Sequence, residues 1–153
     1  MDQTNELFAV YAEAEGHERP LLQLDLTFAR LMDDIVVPYQ SDVAFFIDGA
    51  PVTASKLKRI KILRLTPDFC DARERFDRTL TRAEVQLRKV YGDQYTQRFE
   101  HVIRENSEDV TAQVIKAYDQ AIKPKLKDYM PKRKELIAAA MQLFIEGIKA
   151  LGR

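Results

Sequence analysis

The spacing of apolar residues changes at Thr66, and this change limits the fold classes open to the chain. Before Thr66, apolar side chains alternate with polar ones over residues 57–65 and form a short apolar run over residues 43–47, as strands do. After Thr66 they recur every three or four residues, which is typical of amphipathic helices. The pattern predicts an α+β fold in which a small antiparallel sheet with short helices precedes a bundle of about four helices.

The N-terminal half contains one predicted helix and one segment of mixed pattern. Residues 3–14 carry apolar side chains on one helical side, and Gly16 is placed to end this helix. Across residues 20–37, alternating leucines give way to helical spacing, so we predict a strand that becomes a helix with Thr27 as its N-cap. Pro38 is expected to prevent much continuation of that helix, because proline disfavours helical geometry in the residue before it.

A β-hairpin is predicted around Asp48 and Gly49, a pair that tolerates the positive φ angles of a two-residue turn. Residues 43–47 form its first strand. Pro51 predicts a short return strand, because proline cannot donate a ladder hydrogen bond. A further strand is predicted over residues 57–65.

Four helices are predicted in the C-terminal half. They cover residues 66–91, about 95–105, 107–122 and 131–151. Pro124 predicts a kink or an end between the last two helices. A chain of 153 residues is expected to form one hydrophobic core. Residues 1–153 are therefore predicted to be a single domain, with 1–65 and 66–153 as sub-structures.

The cysteine content and the apolar runs bear on the location of the protein. Cys70 is the single cysteine, so it forms no internal disulfide, and the first residues lack the apolar stretch of a secretory signal. The longest apolar run is well short of the ~20 residues that a membrane span requires. The sequence predicts a cytoplasmic protein.

Charge is unevenly distributed along a chain whose formal net charge is zero. Residues 1–50 contain ten acidic and two basic side chains, whereas residues 51–64 contain five basic side chains and no acidic one. Residues 123–153 contain eight basic and three acidic side chains. Two interpretations are open: the oppositely charged segments neutralise each other within the fold, or the basic ones bind an anionic partner.

The chain has no local motif for catalysis, metal binding or cofactor binding. Two histidines, His17 and His101, and one cysteine are too few for a usual zinc site. Gly49 stands alone in its turn, so no glycine-rich phosphate loop exists. We predict no catalytic residue, no metal and no cofactor. A site assembled from distant residues would leave no local motif, so the question of an enzyme stays open.

The basic strand predicted over residues 57–65 is the first candidate for a binding site. An anionic partner would contact this strand, its flank, and the basic segment 123–134. The predicted contact residues are Lys56, Lys58, Arg59, Lys61, Arg64, Lys132, Arg133 and Lys134. A phosphate backbone suits such a surface. Docking of the strand against the acidic N-terminal half explains the same charges.

The last helix, the most apolar of the chain, is the second candidate. Its apolar stripe consists of Ile137, Met141, Phe144, Ile148 and Leu151. This stripe either completes the core of the domain or forms a seam with a second copy or another protein. Binding of this helix to a membrane interface is disfavoured, because acidic and amide side chains interrupt its basic polar face.

The leading hypothesis is a non-enzymatic protein-interaction or regulatory protein that self-associates through its C-terminal helix or joins a larger assembly. The lack of catalytic motifs, the segregated charge and the apolar last helix motivate it. The alternative hypothesis is a nucleic-acid-binding module that uses the basic strand and the basic segment 123–134. The sequence identifies no small-molecule ligand.

Overall fold

The computed structural model of the chain describes residues 6–18, 20–66, 69 and 103–151. The chain divides into two compact units. One unit is formed by Met1–Leu63 together with Asp109–Arg153, and the other by Arg64–Glu108. Most of the described elements belong to the first unit, which we call the larger unit.

The fold is α+β, with a four-stranded antiparallel sheet, a separate two-stranded hairpin and helices. The strands are β1 (Phe8–Ala14), β2 (Leu21–Leu26), β3 (Phe45–Ile47), β4 (Ala50–Val52), β5 (Leu57–Leu65) and β6 (Ser107–Asp109). The helices are α1 (residues 28–40), α2 (Thr111–Ala121) and α3 (Arg133–Ala150), with 3-10 segments at Ala54–Lys56 and Lys123–Asp128. The strand order in the larger sheet is β2-β1-β5-β6, which confirms the predicted small antiparallel sheet.

The segment that contains β1 is a strand, so the helix predicted over residues 3–14 is wrong. Phe8, Val10 and Ala12 are buried at every second position. Phe8 and Val10 belong equally to the predicted helical side, and a short apolar segment does not distinguish the two periods. The segment forms a strand because it pairs with β2 on one side and with β5 on the other. Gly16, with a φ of 85°, turns the chain after it.

The predicted change from strand to helix after residue 20 is confirmed. β2 ends at Leu26, and α1 begins at Phe28. Thr27 is the N-cap of α1, because its Oγ1 accepts a hydrogen bond from the backbone N–H of Arg30 at 3.2 Å.

α1 includes Pro38 but ends two residues later, at Gln40, so it continues only a short way past the proline, as predicted, although Val37 keeps helical geometry. The central part of the helix, Leu31–Val36, is π-helical between two α-helical ends. The Val37 N–H donates to the carbonyl of Met32, five residues back instead of four. In a regular α-helix the proline ring clashes with the carbonyl four residues earlier. The wider turn just before the proline lets the helix continue.

The hairpin predicted around Asp48 and Gly49 is confirmed. Both residues have positive φ angles, 51° and 79° respectively, and Ile47 faces Ala50 across the turn. Pro51 lies in β4, which is only three residues long, as expected for a strand that contains proline.

The predicted strand over residues 57–65 is confirmed as β5. Ser107, predicted to begin a helix, instead begins β6 at the edge of the sheet. α2 starts four residues later, at Thr111. Asp109 holds this start, since its Oδ1 accepts the Thr111 backbone N–H at 3.0 Å. The predicted start of this helix is therefore four residues too early, because its first three residues form a short strand.

Three helices of seven residues or more, α1, α2 and α3, occur in the described residues, and the predicted bundle of about four helices is not formed there. α1 comes from the N-terminal half and packs against both α2 and α3. The sequence predicted this segment as a short helix of the β-containing half, so its packing against the C-terminal helices was missed. The predicted helices over residues 66–91 and about 95–105 lie wholly or mostly outside the described residues.

The two C-terminal helices follow the sequence closely. α2 ends before Pro124, as predicted, and α3 begins at Arg133, two residues after the predicted start at Pro131. Within residues 6–18, 20–66 and 103–151, no helical stretch has the length and hydropathy of a membrane span.

Three aromatic rings join the sheet to the helices in the larger unit. The ring of Phe8 in β1 lies 5.8 Å from that of Phe28 in α1 and 5.7 Å from that of Phe144 in α3. The Phe28 and Phe144 rings are 5.6 Å apart. All three side chains are buried. Such a cluster contributes both apolar burial and edge-to-face ring contacts to the core.

Candidate functional site

The basic residues at the start of β5 lie mostly at the surface. Lys56, Lys58 and Arg59 are exposed, and Lys61 is half-buried. Among the described residues, no acidic side chain forms an ion pair with any of these four. In the described part of the chain, this end of the strand therefore forms no side-chain ion pair with the acidic N-terminal half, although its backbone adjoins that half through β1.

Arg64, near the other end of β5, has an acidic partner. Its Nη2 lies 3.1 Å from Oε1 of Glu108, and the two side chains are 20% and 29% exposed. Arg64 is therefore engaged in an ion pair within the fold, whereas Lys56, Lys58 and Arg59 at the start of the strand are exposed to solvent.

Among the described residues, no strand pairs with one edge of β5 over residues 57–61. The Val110 N–H donates to the Ile62 carbonyl at 2.9 Å, and Oγ1 of Thr111 accepts the Ile62 N–H at 2.8 Å. The chain then enters α2, so the antiparallel pairing stops at Ile62, while β1 occupies the opposite side of the strand. An unpaired edge of this kind is able to pair with an extended polypeptide.

A cavity of about 460 Å³ lies beside this open edge and is formed by α1, β5 and the start of α2. Its lining residues are Ile35, Val36, Tyr39, Gln40, Leu57, Lys58, Arg59, Ile60, Ile62, Thr111 and Ile115. Most of these are apolar, and Lys58 and Arg59 are the charged ones. Cavities of this size and lining hold a small molecule or a few side chains.

The cavity combines two chemical features that limit its ligands. Apolar walls favour aliphatic groups, and exposed cations without acidic partners attract carboxylates or phosphates. Comparison with protein families, curated proteins and solved structures gives no match to this chain. The class of ligand is therefore inferred from the side chains themselves.

The basic residues Lys132, Arg133 and Lys134 at the start of α3 are all exposed, and Arg133 forms an ion pair. Nη1 of Arg133 lies 3.3 Å from Oδ2 of Asp33, and the Tyr129 hydroxyl donates a hydrogen bond to Oδ1 of the same carboxylate. Lys132 and Lys134 are exposed. At Asp33, therefore, the acidic N-terminal half and the basic C-terminal segment do neutralise each other.

The two basic regions form separate surfaces. α2 begins beside Ile62 of β5 and ends at Ala121, just before the basic segment. Its 11 residues span ~16 Å at 1.5 Å per residue. This exceeds the Debye length of about 8 Å at physiological salt, so a ligand at one surface is largely screened from the charges at the other.

The pKa of Tyr129 is raised well above its ordinary value of 10.0, first by burial and then by the hydrogen bond to Asp33 and the charge of that carboxylate. The folded chain keeps the phenol proton above pH 10, while the unfolded chain releases it. We therefore expect the free energy of unfolding to fall as pH rises above 10. Urea titrations at pH 8, 9, 10 and 11 measure this slope.

The Tyr129→Phe variant is the control for this prediction, because it has no phenol to ionise at this position. Its slope should be clearly smaller than that of the wild type. Burial also raises the pKa of Tyr118, which accounts for part of the remaining slope. Equal slopes in the two proteins would contradict the assignment.

α3 places most of the predicted interface residues in the core. Phe144 and Ile148 are buried, and Ile137 and Met141 are half-buried against the core. Leu151 is 53% exposed and borders a groove between α2 and α3. Core completion is therefore the role that the structure gives to most of this stripe. Self-association through it stays a prediction.

The sequence identified the cations of the candidate site but missed its walls. Ile35 and Tyr39 come from α1 and Ile115 comes from α2. No local pattern links these segments, which lie far apart in the chain. In the part of the chain that the structure describes, no three histidine, cysteine or carboxylate side chains converge as metal ligands would.

Proposed function

We propose that this protein is a non-enzymatic binding protein that holds an extended, acidic segment of a partner polypeptide beside β5. One observation carries the proposal: the open strand edge, the apolar cavity and the exposed cations Lys58 and Arg59 occur at the same place. Each feature recognises a different part of a polypeptide, namely its main chain, its apolar side chains and its carboxylates.

The dimensions of the site support a short extended segment. Residues 57–61 of β5 span ~16 Å at about 3.3 Å per residue, so they pair with about five residues of a partner. Side chains alternate in direction along an extended peptide. Apolar residues at every second position enter the cavity, while acidic residues between or beside them approach Lys58 and Arg59.

A nucleic acid is the second candidate, since it also carries the negative charge that Lys58 and Arg59 attract. Single-stranded nucleic acid gains much of its affinity from bases that stack on free aromatic rings. The aromatic residue of the cavity, Tyr39, is half-buried and packs edge-to-face against Phe45 at 6.3 Å between ring centroids. The apolar walls and the strand edge therefore favour a polypeptide.

A protein of this kind would act as an adaptor or as a regulatory subunit, because its site recognises a segment and changes nothing in it. The single cysteine of the sequence suits a reducing compartment, and we propose the cytoplasm as the location.

A fluorescein-labelled octapeptide of alternating valine and glutamate tests the proposal. We expect its fluorescence anisotropy to rise with protein concentration and the binding to weaken as salt increases. The Lys58→Glu/Arg59→Glu variant should bind the peptide about tenfold more weakly or worse, because it replaces attraction by repulsion. A variant of this peptide in which proline replaces one of the internal valines should also bind more weakly, since it loses a main-chain hydrogen-bond donor.

The matched control is Lys132→Glu/Lys134→Glu, which makes the same charge change at the far end of α2. It should alter the affinity for the peptide by less than about twofold, given the screening over ~16 Å. Failure of the valine-glutamate peptide to bind at low salt would overturn the proposal. Tighter binding of a twenty-residue oligothymidylate, with the same dependence on Lys58 and Arg59, would replace it by the nucleic-acid module.

A further inference from the structure

The basic segment 123–134 of the larger unit projects from the fold over nearly its whole length. Every residue in it except Tyr129 is exposed. Two of the exposed side chains are large and aliphatic: Leu126 is 37% and Met130 is 75% exposed. Removal of such aliphatic side chains from water by a partner is favourable in proportion to the apolar area buried.

The segment has a defined backbone. The Lys125 N–H donates to the Ile122 carbonyl at 2.9 Å, and the Tyr129 N–H donates to the Leu126 carbonyl at 3.1 Å. Tyr129 itself points inward, is 5% exposed and donates its hydroxyl proton to Asp33. The inward anchor is next to Met130 in the chain, so the fold presents the aliphatic side chain to solvent from a fixed position.

The charges of the segment are strongly unbalanced. Five lysines and one acid lie in it without an ion partner among the described residues: Lys123, Lys125, Lys127, Lys132, Lys134 and Asp128. Arg133 adds a further cation but is bonded to Asp33. Lysines around a small aliphatic tip are the side chains that adsorb to anionic lipid headgroups and insert between them.

We propose that the basic segment docks on the surface of an anionic lipid bilayer, with Leu126 and Met130 inserted at the headgroup level. The lysines contact lipid phosphates and carboxylates, and the two aliphatic side chains leave water. A nucleic acid fits less well, because the segment's one aromatic ring, that of Tyr129, is buried and not free for stacking. This surface is distinct from the cavity beside β5 and does not depend on the function proposed for it.

Co-sedimentation with vesicles tests the proposal. The full chain is mixed with vesicles of phosphatidylcholine alone or with 30% phosphatidylserine, at low and at physiological salt. We expect binding to the anionic vesicles only. Lys125→Gln/Lys127→Gln should lower the partition coefficient about 25-fold, at about fivefold for each lysine. Leu126→Ser/Met130→Ser should lower it roughly tenfold without any change in charge.

The control variant is Lys116→Gln/Lys149→Gln, which removes two exposed lysines that lie outside the segment. It should reduce the partition coefficient by less than about threefold. Three results would overturn the proposal: no binding to anionic vesicles at low salt, binding that is unchanged in the Leu126→Ser/Met130→Ser variant, or preferential binding to an oligonucleotide that competes with the vesicles. Far-ultraviolet circular dichroism of each variant shows whether the fold is retained.

Discussion

Replacement of Phe144 by alanine is expected to lower the free energy of unfolding by about 3–5 kcal/mol. The ring is 1% exposed and contacts the rings of Phe8 and Phe28 at centroid distances of 5.7 and 5.6 Å. Truncation removes these contacts and leaves a cavity between the sheet and two helices, which the surrounding backbone is only partly able to fill. Urea denaturation followed by circular dichroism measures the change.

Phe46→Ala is the matched control for this substitution, because its ring is 62% exposed on the hairpin. It should change the free energy of unfolding by no more than about 0.5 kcal/mol. The comparison separates the two roles that the sequence allows for Phe144. If Phe144→Ala leaves the monomer stable but abolishes an oligomer, the residue belongs to an intermolecular seam and its place in the core is refuted.

Replacement of Asp33 by alanine is expected to cost about 2–3 kcal/mol of unfolding free energy. The carboxylate accepts the hydroxyl proton of Tyr129 and pairs with Arg133, and its side chain is 27% exposed. Loss of the carboxylate leaves the buried Tyr129 hydroxyl without this acceptor and detaches the basic segment from α1. Thermal and urea denaturation report the loss.

The neighbouring Asp34 provides the control. It pairs with Arg30 one helical turn away, at 3.3 Å, but the two side chains are 47% and 63% exposed. Such solvent-exposed pairs contribute only about 0.3–0.5 kcal/mol. Asp34→Ala should therefore be several times less costly than Asp33→Ala. Similar costs for the two variants would show that the contacts of Asp33 do not stabilise the fold.

The elements that sequence predicts correctly are those whose own residues determine the backbone. Asp48 and Gly49 fix the hairpin through their positive φ angles, and Thr27 fixes the start of α1 through its side-chain hydrogen bond. β5 was predicted with its observed ends, since alternation over nine residues is a strong pattern. In these cases a few residues that are adjacent in the sequence determine the backbone conformation.

The errors occur where contacts with distant parts of the chain determine the secondary structure. β1 is a strand because it lies between β2 and β5, which no pattern within seven residues reveals. The π segment of α1, whose Leu31, Met32, Ile35 and Val36 are buried in the core, was also not predicted from the sequence.

The candidate site likewise combines features that the sequence reveals with features that only tertiary packing creates. Its lysines and arginine stand out in the sequence as a basic strand. Its apolar walls and open edge arise only when α1 and α2 pack beside that strand. The sequence also did not distinguish the cations that the fold pairs, Arg64 and Arg133, from those that it leaves exposed.

The π segment of α1 also sets the orientation of the residues that follow it. An uninterrupted α-helix advances by about 100° for each residue, so a turn that contains one extra residue rotates everything after it by that angle. Tyr39 and Gln40, which line the cavity, lie after this turn, so their directions include the rotation. The extra residue in the π turn thus affects which side chains face the cavity. Deletion of one residue from this turn would rotate Tyr39 and Gln40 by about 100° without replacing either of them.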